Sequence, residues 1–124
     1  MLDITEENYK IKNIRFFFEQ LIKQYIENHK LSQSAHEEIM AMIHSDKDVS
    51  FYYYKREMDM TYKITDILKN NNYILDDLNE RVHLIIGIID NLCHEVIYHK
   101  HQEMNYDVMT KYAINCIVDI LESK

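Results

Sequence analysis

Apolar residues between Asp77 and Glu103 recur at three- and four-residue steps, the spacing of one face of an α-helix. Leu84 and Ile88 fall outside that stripe, so the middle of this predicted helix is apolar nearly all the way round. A helix of this kind has to be covered on two sides. The stripe comprises Val82, Ile85, Ile86, Ile89, Leu92, Cys93 and Val96.

The only glycine of the chain, Gly87, lies in the middle of this helix. Glycine costs about 1 kcal/mol relative to alanine inside a helix. We therefore expect another backbone to approach closely at Gly87, where a Cβ would block it.

The last segment, Tyr106 to Leu121, shows the same pattern. One stripe comprises Met109, Tyr112, Ala113, Cys116, Ile117 and Ile120, and a second comprises Ile114, Val118 and Leu121. Two such helices carry more apolar surface than so short a chain needs for its own core. We interpret the surplus as a homodimer interface formed by Leu84, Gly87, Ile88, Ile114, Val118 and Leu121. In the alternative interpretation, both helices are central in a monomeric bundle.

Three helices are predicted before this pair, over Thr5–His29, from Ser34 to about Ser45, and over Asp48–Asn70. Capping boxes are expected at Ser34 with Glu37 and at Asp77 with Glu80. Further expected caps are Asp46 or Asp48, the asparagines at 70–72, and Asn105. Because the links are short, the expected architecture is one domain, residues 1–124, folded as an antiparallel bundle of about five helices.

Composition supports an all-α class, since the chain has no proline, one glycine and 47% hydrophobic residues. Cys93 and Cys116 fall within helical patterns and are expected to be small buried hydrophobes. The longest apolar run, Leu84 to Ile89, is too short to span a membrane, and the acidic N-terminus is unlike a signal peptide, so a cytoplasmic protein is expected. The net charge of −7 argues against nucleic-acid binding by this chain alone.

The seven histidines form no recognised metal motif. His94-Glu95 is followed by His99, so the zinc-protease pattern HExxH is missed by one residue, and positions five apart on a helix point in different directions. Only Glu80 and His83 have the Glu-x-x-His spacing of di-iron bundles, which need two such pairs. No phosphate loop or activated nucleophile is present either. We expect no metal, no cofactor and no enzymatic activity.

The third helix carries Glu57 within an apolar stripe. A lone carboxylate in a bundle interior is costly unless it is paired, so Glu57 is either hydrated at the rim or lines a cavity. A polar row on the fourth helix could face the same cavity, which would suit a cationic or hydrogen-bonding organic ligand better than an anion. The predicted ligand-binding residues are Phe18, Tyr53, Glu57, Met60, Thr61, Asn91, Glu95 and Tyr98.

The segment from Arg81 to Met109, RVHLIIGIIDNLCHEVIYHKHQEMNYDVM, with its CHE, YHKH and NYD pieces, resembles the C-terminal domain of a subgroup of TetR-family transcriptional regulators from low-GC bacteria. The order of a long, a short and a long helix followed by two apolar helices is similar over essentially the whole chain. The resemblance implies an effector-binding domain that homodimerises through its last two helices. It also implies that effector binding tilts the DNA-binding heads apart and releases the operator.

The chain departs from that family because no basic helix-turn-helix segment precedes Thr5. We expect either a shortened form of a longer regulator, which we favour, or a headless relative that acts by association. DNA would then be bound only through a domain outside this chain. The competing hypotheses are a metal-binding helical bundle that uses the histidines and a ligand-free helical adaptor that binds another protein.

Overall fold

A computed structural model of the chain describes residues 8–28 and 32–124. Within these ranges the chain forms five α-helices and no strand, which confirms the all-α prediction. The helices are α1 (Ile14–Asn28), α2 (Gln33–Ser45), α3 (Lys47–Asn70), α4 (Leu78–Tyr98) and α5 (Tyr106–Glu122).

Helix α4 is the centre of the bundle, because it packs against α1, α3 and α5. Helix α1 also packs against α5, and α2 packs against α3. Near the start of α4, Arg81 Nη1 donates to the carbonyl of Ile120, near the end of α5, at 2.6 Å. The same nitrogen donates to the Ser123 carbonyl. Helices α4 and α5 are therefore antiparallel.

The core lies between α4, α5, α1 and the second half of α3. Burying a Leu-sized side chain fully contributes roughly 1.5–3 kcal/mol, so these helices stabilise one another mainly through this core. Its buried members are Phe17, Phe18, Ile22, Ile64, Ile67, Leu68, Leu78, Val82, Ile85, Ile89, Leu92, Cys93, Tyr106, Ile114, Ile117, Val118 and Leu121.

The first helix begins later than the pattern predicts. Asn13 Oδ1 accepts a hydrogen bond from the Phe16 amide at 3.1 Å, and α1 therefore starts at Ile14. The predicted ends Thr5 and His29 lie outside the described residues. Residues 8–13 are irregular. They contact the end of α3 through a hydrogen bond in which Asn71 Oδ1 accepts from the Ile11 amide at 2.8 Å.

Two predicted capping boxes are wrong. Helix α2 is capped by Ser32, whose Oγ accepts from the Ala35 amide at 3.1 Å, and not by Ser34. Asp77 precedes α4 but makes no side-chain cap bond. Its carboxylate instead accepts from Arg81 Nε at 2.8 Å, and this hydrogen bond lowers the pKa of Asp77.

The other predicted caps are confirmed. Asp46 caps α3, accepting from the Asp48 amide at 2.9 Å. The asparagine run ends α3, because Asn72 adopts a left-handed backbone with φ 73°. Asn105 caps α5, accepting from the Asp107 amide at 3.1 Å.

The two cysteines occupy different environments. Cys93 is buried as predicted, and burial raises the pKa of its thiol to about 12. Cys116 is exposed on α5, so its predicted burial is wrong. Within the described ranges, no helix combines the length and the apolar character that crossing a membrane requires.

Candidate functional site

The predicted interface residues of α5 lie in the core of the single chain. Ile114 is 3% exposed, and Val118 and Leu121 are similarly buried. The apolar surface that α5 leaves exposed belongs instead to its other stripe. Tyr112 is 64% exposed, and Cys116 is exposed beside it. The stripe predicted for the interface is therefore buried, whereas the other stripe is divided between the core, which contains Ile117, and the surface.

The predicted interface residues of α4 lie on its outside. Leu84 is 60% exposed, and Ile88 is half-buried. A Cβ added to Gly87 would meet nothing within 4 Å in the described chain. The close backbone approach expected at Gly87 therefore does not occur within the described part of this chain.

These positions lie on two helices that pack against each other, and we treat them as one surface. On both helices, half-buried residues lie between the core and the exposed positions, and the bond from Arg81 to the Ile120 carbonyl places the start of α4 beside the end of α5. At 1.5 Å rise per residue, the antiparallel register brings Leu84 level with the turn that carries Cys116. We call this surface the α4–α5 outer face. It comprises Leu84, Gly87, Ile88, Met109, Tyr112, Ala113, Cys116 and Ile120.

The predicted ligand-binding residues differ widely in exposure. Phe18 and Thr61 are completely buried, and Tyr98 is buried at the end of α4. Tyr53, Glu57 and Glu95 are half-buried. Met60 and Asn91 are exposed.

Glu57 reaches the rim of the bundle and meets α4 at His83. Its carboxylate lies 3.8 Å from His83 Nε2. Thr61 Oγ1 donates to the Glu57 carbonyl at 3.0 Å and lies 2.9 Å from His83 Nδ1. Asn91 is exposed, and the partner of Glu57 on α4 is His83, which sequence reasoning missed.

A second polar contact joins α1 to α4. Tyr25 Oη donates to Asp90 Oδ1 at 2.5 Å and lies 3.1 Å from His94 Nε2. Burial of the phenol is the main cause that raises the pKa of Tyr25, and the hydrogen bond to Asp90 raises it further. The pKa of Tyr53 on α3 is also raised, first by burial and then by Asp90 and Glu57. We call Tyr25, Tyr53, Glu57, His83, Asp90 and His94 the polar junction.

Helix α2 reaches this region through His36, which sequence reasoning also missed. The His36 ring is 5% exposed and stacks on the Tyr98 ring at 3.9 Å, with 8° between the planes. It also meets the His94 ring edge-on at 4.9 Å. The available signal was its seven-residue spacing from Ile43, the other buried residue of α2.

The histidines that suggested a metal site point to different partners. His94 faces Tyr25 and Asp90, whereas His101 Nε2 lies 3.9 Å from Glu95. In the part of the chain that the structure describes, no three His, Cys, Asp or Glu side chains lie close enough to hold a metal ion.

Among the surface depressions lined by described residues are two that contain no residue of the polar junction. The larger, of about 440 Å³, follows the α4–α5 connection from Lys100 to Asp107. The smaller, of about 200 Å³, lies between Arg15 and Glu19 of α1 and the first half of α5.

The geometry therefore defines a small helical bundle with a partly exposed polar junction and an apolar outer face on its last two helices. Comparison with known proteins adds no relative, since no family model, curated protein or solved structure matches the chain.

Proposed function

We propose that this chain is the effector-binding and dimer-forming domain of a TetR-type transcriptional regulator. In this proposal it is a bacterial, cytoplasmic protein without enzymatic activity, and it controls DNA binding by a domain outside this chain. The order of the helices supports the proposal, since a long α3 precedes two apolar helices that pack against each other.

The α4–α5 outer face carries the proposal. Large apolar side chains such as Leu84 and Tyr112 are exposed there, next to the small residues Gly87, Ala113 and Cys116. Small residues let two helices approach closely, and flanking large ones fill the grooves. Since a two-fold axis buries the same patch of both copies, a second chain would cover this face as a four-helix interface.

The polar junction is the proposed site of effector recognition. Its two carboxylates, Glu57 and Asp90, are each only partly exposed. Their closest described partners are histidine and tyrosine side chains, and no described lysine or arginine lies within 4.0 Å of either. A negative, tyrosine-lined junction favours a cationic organic effector over an anion.

The dimer is tested by replacing Gly87 with leucine. The monomer has open space at this position, and leucine has the better helix propensity, so the fold should be kept. A side chain there would hold two copies apart. We expect light scattering to show a dimer for the wild type and a monomer of unchanged helicity for Gly87→Leu.

Lys63→Leu is the matched control, because Lys63 is exposed on α3, away from the outer face. It should remain dimeric. A monomeric wild type, or a Gly87→Leu dimer of undiminished affinity, would exclude this interface. A wild-type monomer that forms a stable complex with a different protein would favour an adaptor instead.

Effector recognition is tested separately by thermal shift with organic ammonium and organic sulfonate probes of matched size. We expect only the ammonium series to raise the Tm, and Glu57→Gln to weaken that response. Stabilisation by the sulfonates alone would contradict the proposed effector class and leave the dimer result unaffected.

A further inference from the structure

A charged hollow of about 200 Å³ lies between α1 and α5 and shares no residue with the polar junction or the outer face. Arg15 and Glu19, one turn apart on α1, form one wall. The residues of the other wall have the spacing of a single face of α5 over two turns. They are Asp107, Thr110, Lys111 and Ile114.

The hollow carries two basic and two acidic side chains, so its formal charge is zero. None of these four makes an ion pair with a described residue. Arg15 Nη1 donates to Asn115 Oδ1 at 2.6 Å, and Lys111 Nζ lies 6.0 Å from the centre of the Tyr112 ring. A charged ligand can therefore bind here without breaking an ion pair between described residues.

Positive and negative charge are separated along the hollow. Because Arg15 is bonded to Asn115, its guanidinium lies at the end of the hollow that Ile114 lines. Asp107 lies at the other end, about two turns or roughly 10 Å earlier along the α5 axis. The hollow therefore has a basic end and an acidic end.

We propose that this hollow binds a small linear zwitterion, an amino acid whose amine and carboxylate are separated by several methylene groups. Arg15 holds the carboxylate, Asp107 holds the ammonium, and the methylene groups lie over Ile114. The inference concerns a site outside the polar junction and does not depend on the proposed regulatory function.

The side chains of the hollow supply donors at one end and acceptors at the other. A guanidinium presents several N–H groups in a planar fork that matches a carboxylate, and the bond of Arg15 to Asn115 uses only one of them. The Thr110 hydroxyl donates to the Tyr106 carbonyl at 2.7 Å, so its oxygen keeps lone pairs that can accept from an ammonium. Ile114 is held by the core and gives the methylene groups an apolar surface.

Charge and size favour a zwitterion over ligands with one charge. An anion at Arg15 is repelled by Asp107 and Glu19, and a cation at Asp107 is repelled by Arg15 and Lys111, whereas a zwitterion is attracted at both ends. The volume is that of about seven water molecules at roughly 30 Å³ each, which suits a ligand of about seven or eight non-hydrogen atoms. An amino acid whose two charged groups are on adjacent carbons reaches only one end.

Amide chemical shifts of the full chain, measured by NMR, test the site with 5-aminopentanoate as the probe. We expect saturable shifts at the Thr110 and Lys111 amides with a millimolar Kd, because contacts with exposed charges are weakened by water and salt. Pentylammonium, pentanoate and glycine each engage only one end of the hollow. Their Kd at these two amides should therefore be at least about ten-fold higher.

Arg15→Gln and Asp107→Asn each remove one charge from the hollow and should each raise the Kd for 5-aminopentanoate by about ten-fold. Both positions are exposed, so the fold should be kept. Lys23→Gln and Asp119→Asn are the matched controls, because they neutralise exposed charges on the same two helices outside the hollow, and both should keep the wild-type Kd. The inference is overturned if the two reporting amides show no saturable shift at tens of millimolar probe, if pentylammonium or pentanoate binds there as tightly, or if Arg15→Gln and Asp107→Asn bind the probe like the controls.

Discussion

At the scale of single residues, Thr61 and Thr65 show how the same side chain can contribute oppositely to stability. Both are buried on α3, about one turn apart. The Thr61 hydroxyl bonds the Glu57 carbonyl and contacts His83, whereas the Thr65 hydroxyl has no hydrogen-bond partner among the described residues. A buried hydroxyl without a partner costs free energy that an apolar group of the same shape does not.

We expect Thr65→Val to be neutral or to raise the free energy of unfolding by up to about 1 kcal/mol, and Thr61→Val to lower it by roughly 1–2 kcal/mol. Urea denaturation of the two variants at pH 7 measures the difference. Since valine has the same shape as threonine, each variant controls for the packing of the other. Equal destabilisation by both substitutions would show that the Thr65 hydroxyl has a partner in solution.

Tyr25 gives a prediction at alkaline pH. Its pKa and that of Tyr53 are raised above the ordinary tyrosine value of about 10, so the folded state keeps protons that the unfolded state releases. Their contribution to stability is complete below about pH 10 and is lost as pH rises above it. Tyr25→Phe should therefore flatten the fall of stability between about pH 10 and 12, measured by urea denaturation.

Tyr62→Phe removes an exposed tyrosine from the same protein and should leave that alkaline slope unchanged. If Tyr25→Phe and Tyr62→Phe behave alike, Tyr25 is not held buried against Asp90 in solution. The absorbance of tyrosinate, followed alongside, reports whether the phenols ionise before or together with unfolding.

At the scale of elements, local sequence predicts the end of a helix when the capping residue has no neighbour that competes for the same backbone groups or binds its side chain. Asn72 takes a left-handed conformation that few residues tolerate, and Asn105 precedes a strongly apolar repeat, so both could be predicted. Ser34 and Asp77 could not, because each has a competing neighbour. Ser32 reaches the free amides of α2 first, and Arg81 binds the Asp77 carboxylate.

The start of α2 provides a direct test of this competition. Ser32→Ala should lower the free energy of unfolding by about 1 kcal/mol, since it leaves the Ala35 amide without its acceptor. Ser34→Ala, in the exposed first turn, should change it by less than about 0.5 kcal/mol. Urea denaturation monitored by circular dichroism measures both, and a larger loss for Ser34→Ala would restore the predicted capping box.

Periodicity identified the apolar stripes of α4 and α5 but not the direction in which each stripe of α5 faces. The two stripes of α5 lie side by side around the helix, and either could face inward. The choice depends on packing against helices distant in sequence, and in the structure Ile114 and Leu121 lie in the core whereas Tyr112 is exposed. The same limit applies to the site, where Glu57 was identified but His83 and His36 were not.

At the scale of the whole molecule, apolar side chains such as Leu84 and Tyr112 remain exposed on the last two helices, although different α5 residues from those predicted carry this surface. Helix α3 also exposes large apolar side chains, among them Phe51 and Tyr52. The core already buries side chains from four helices. The single chain therefore has enough internal contacts to fold even when its outer face is uncovered. Dimerisation should therefore add stability to a fold that exists without it, and the two states can be separated experimentally.

A protein stabilised by association loses stability on dilution, because unfolding releases two chains from one dimer. While the dimer predominates, about a hundred-fold dilution should lower its apparent free energy of unfolding by roughly 2.7 kcal/mol, seen as a lower urea midpoint. Leu84→Asp places a charge in the outer face but leaves the core intact, since Leu84 is exposed in the single chain. This variant should unfold at a midpoint that is independent of concentration and equal to the limit that the wild type approaches on dilution. A wild-type midpoint that does not change with concentration would mean that the outer face stays uncovered in solution, and the proposed regulator would then lack the contact by which its two copies act together.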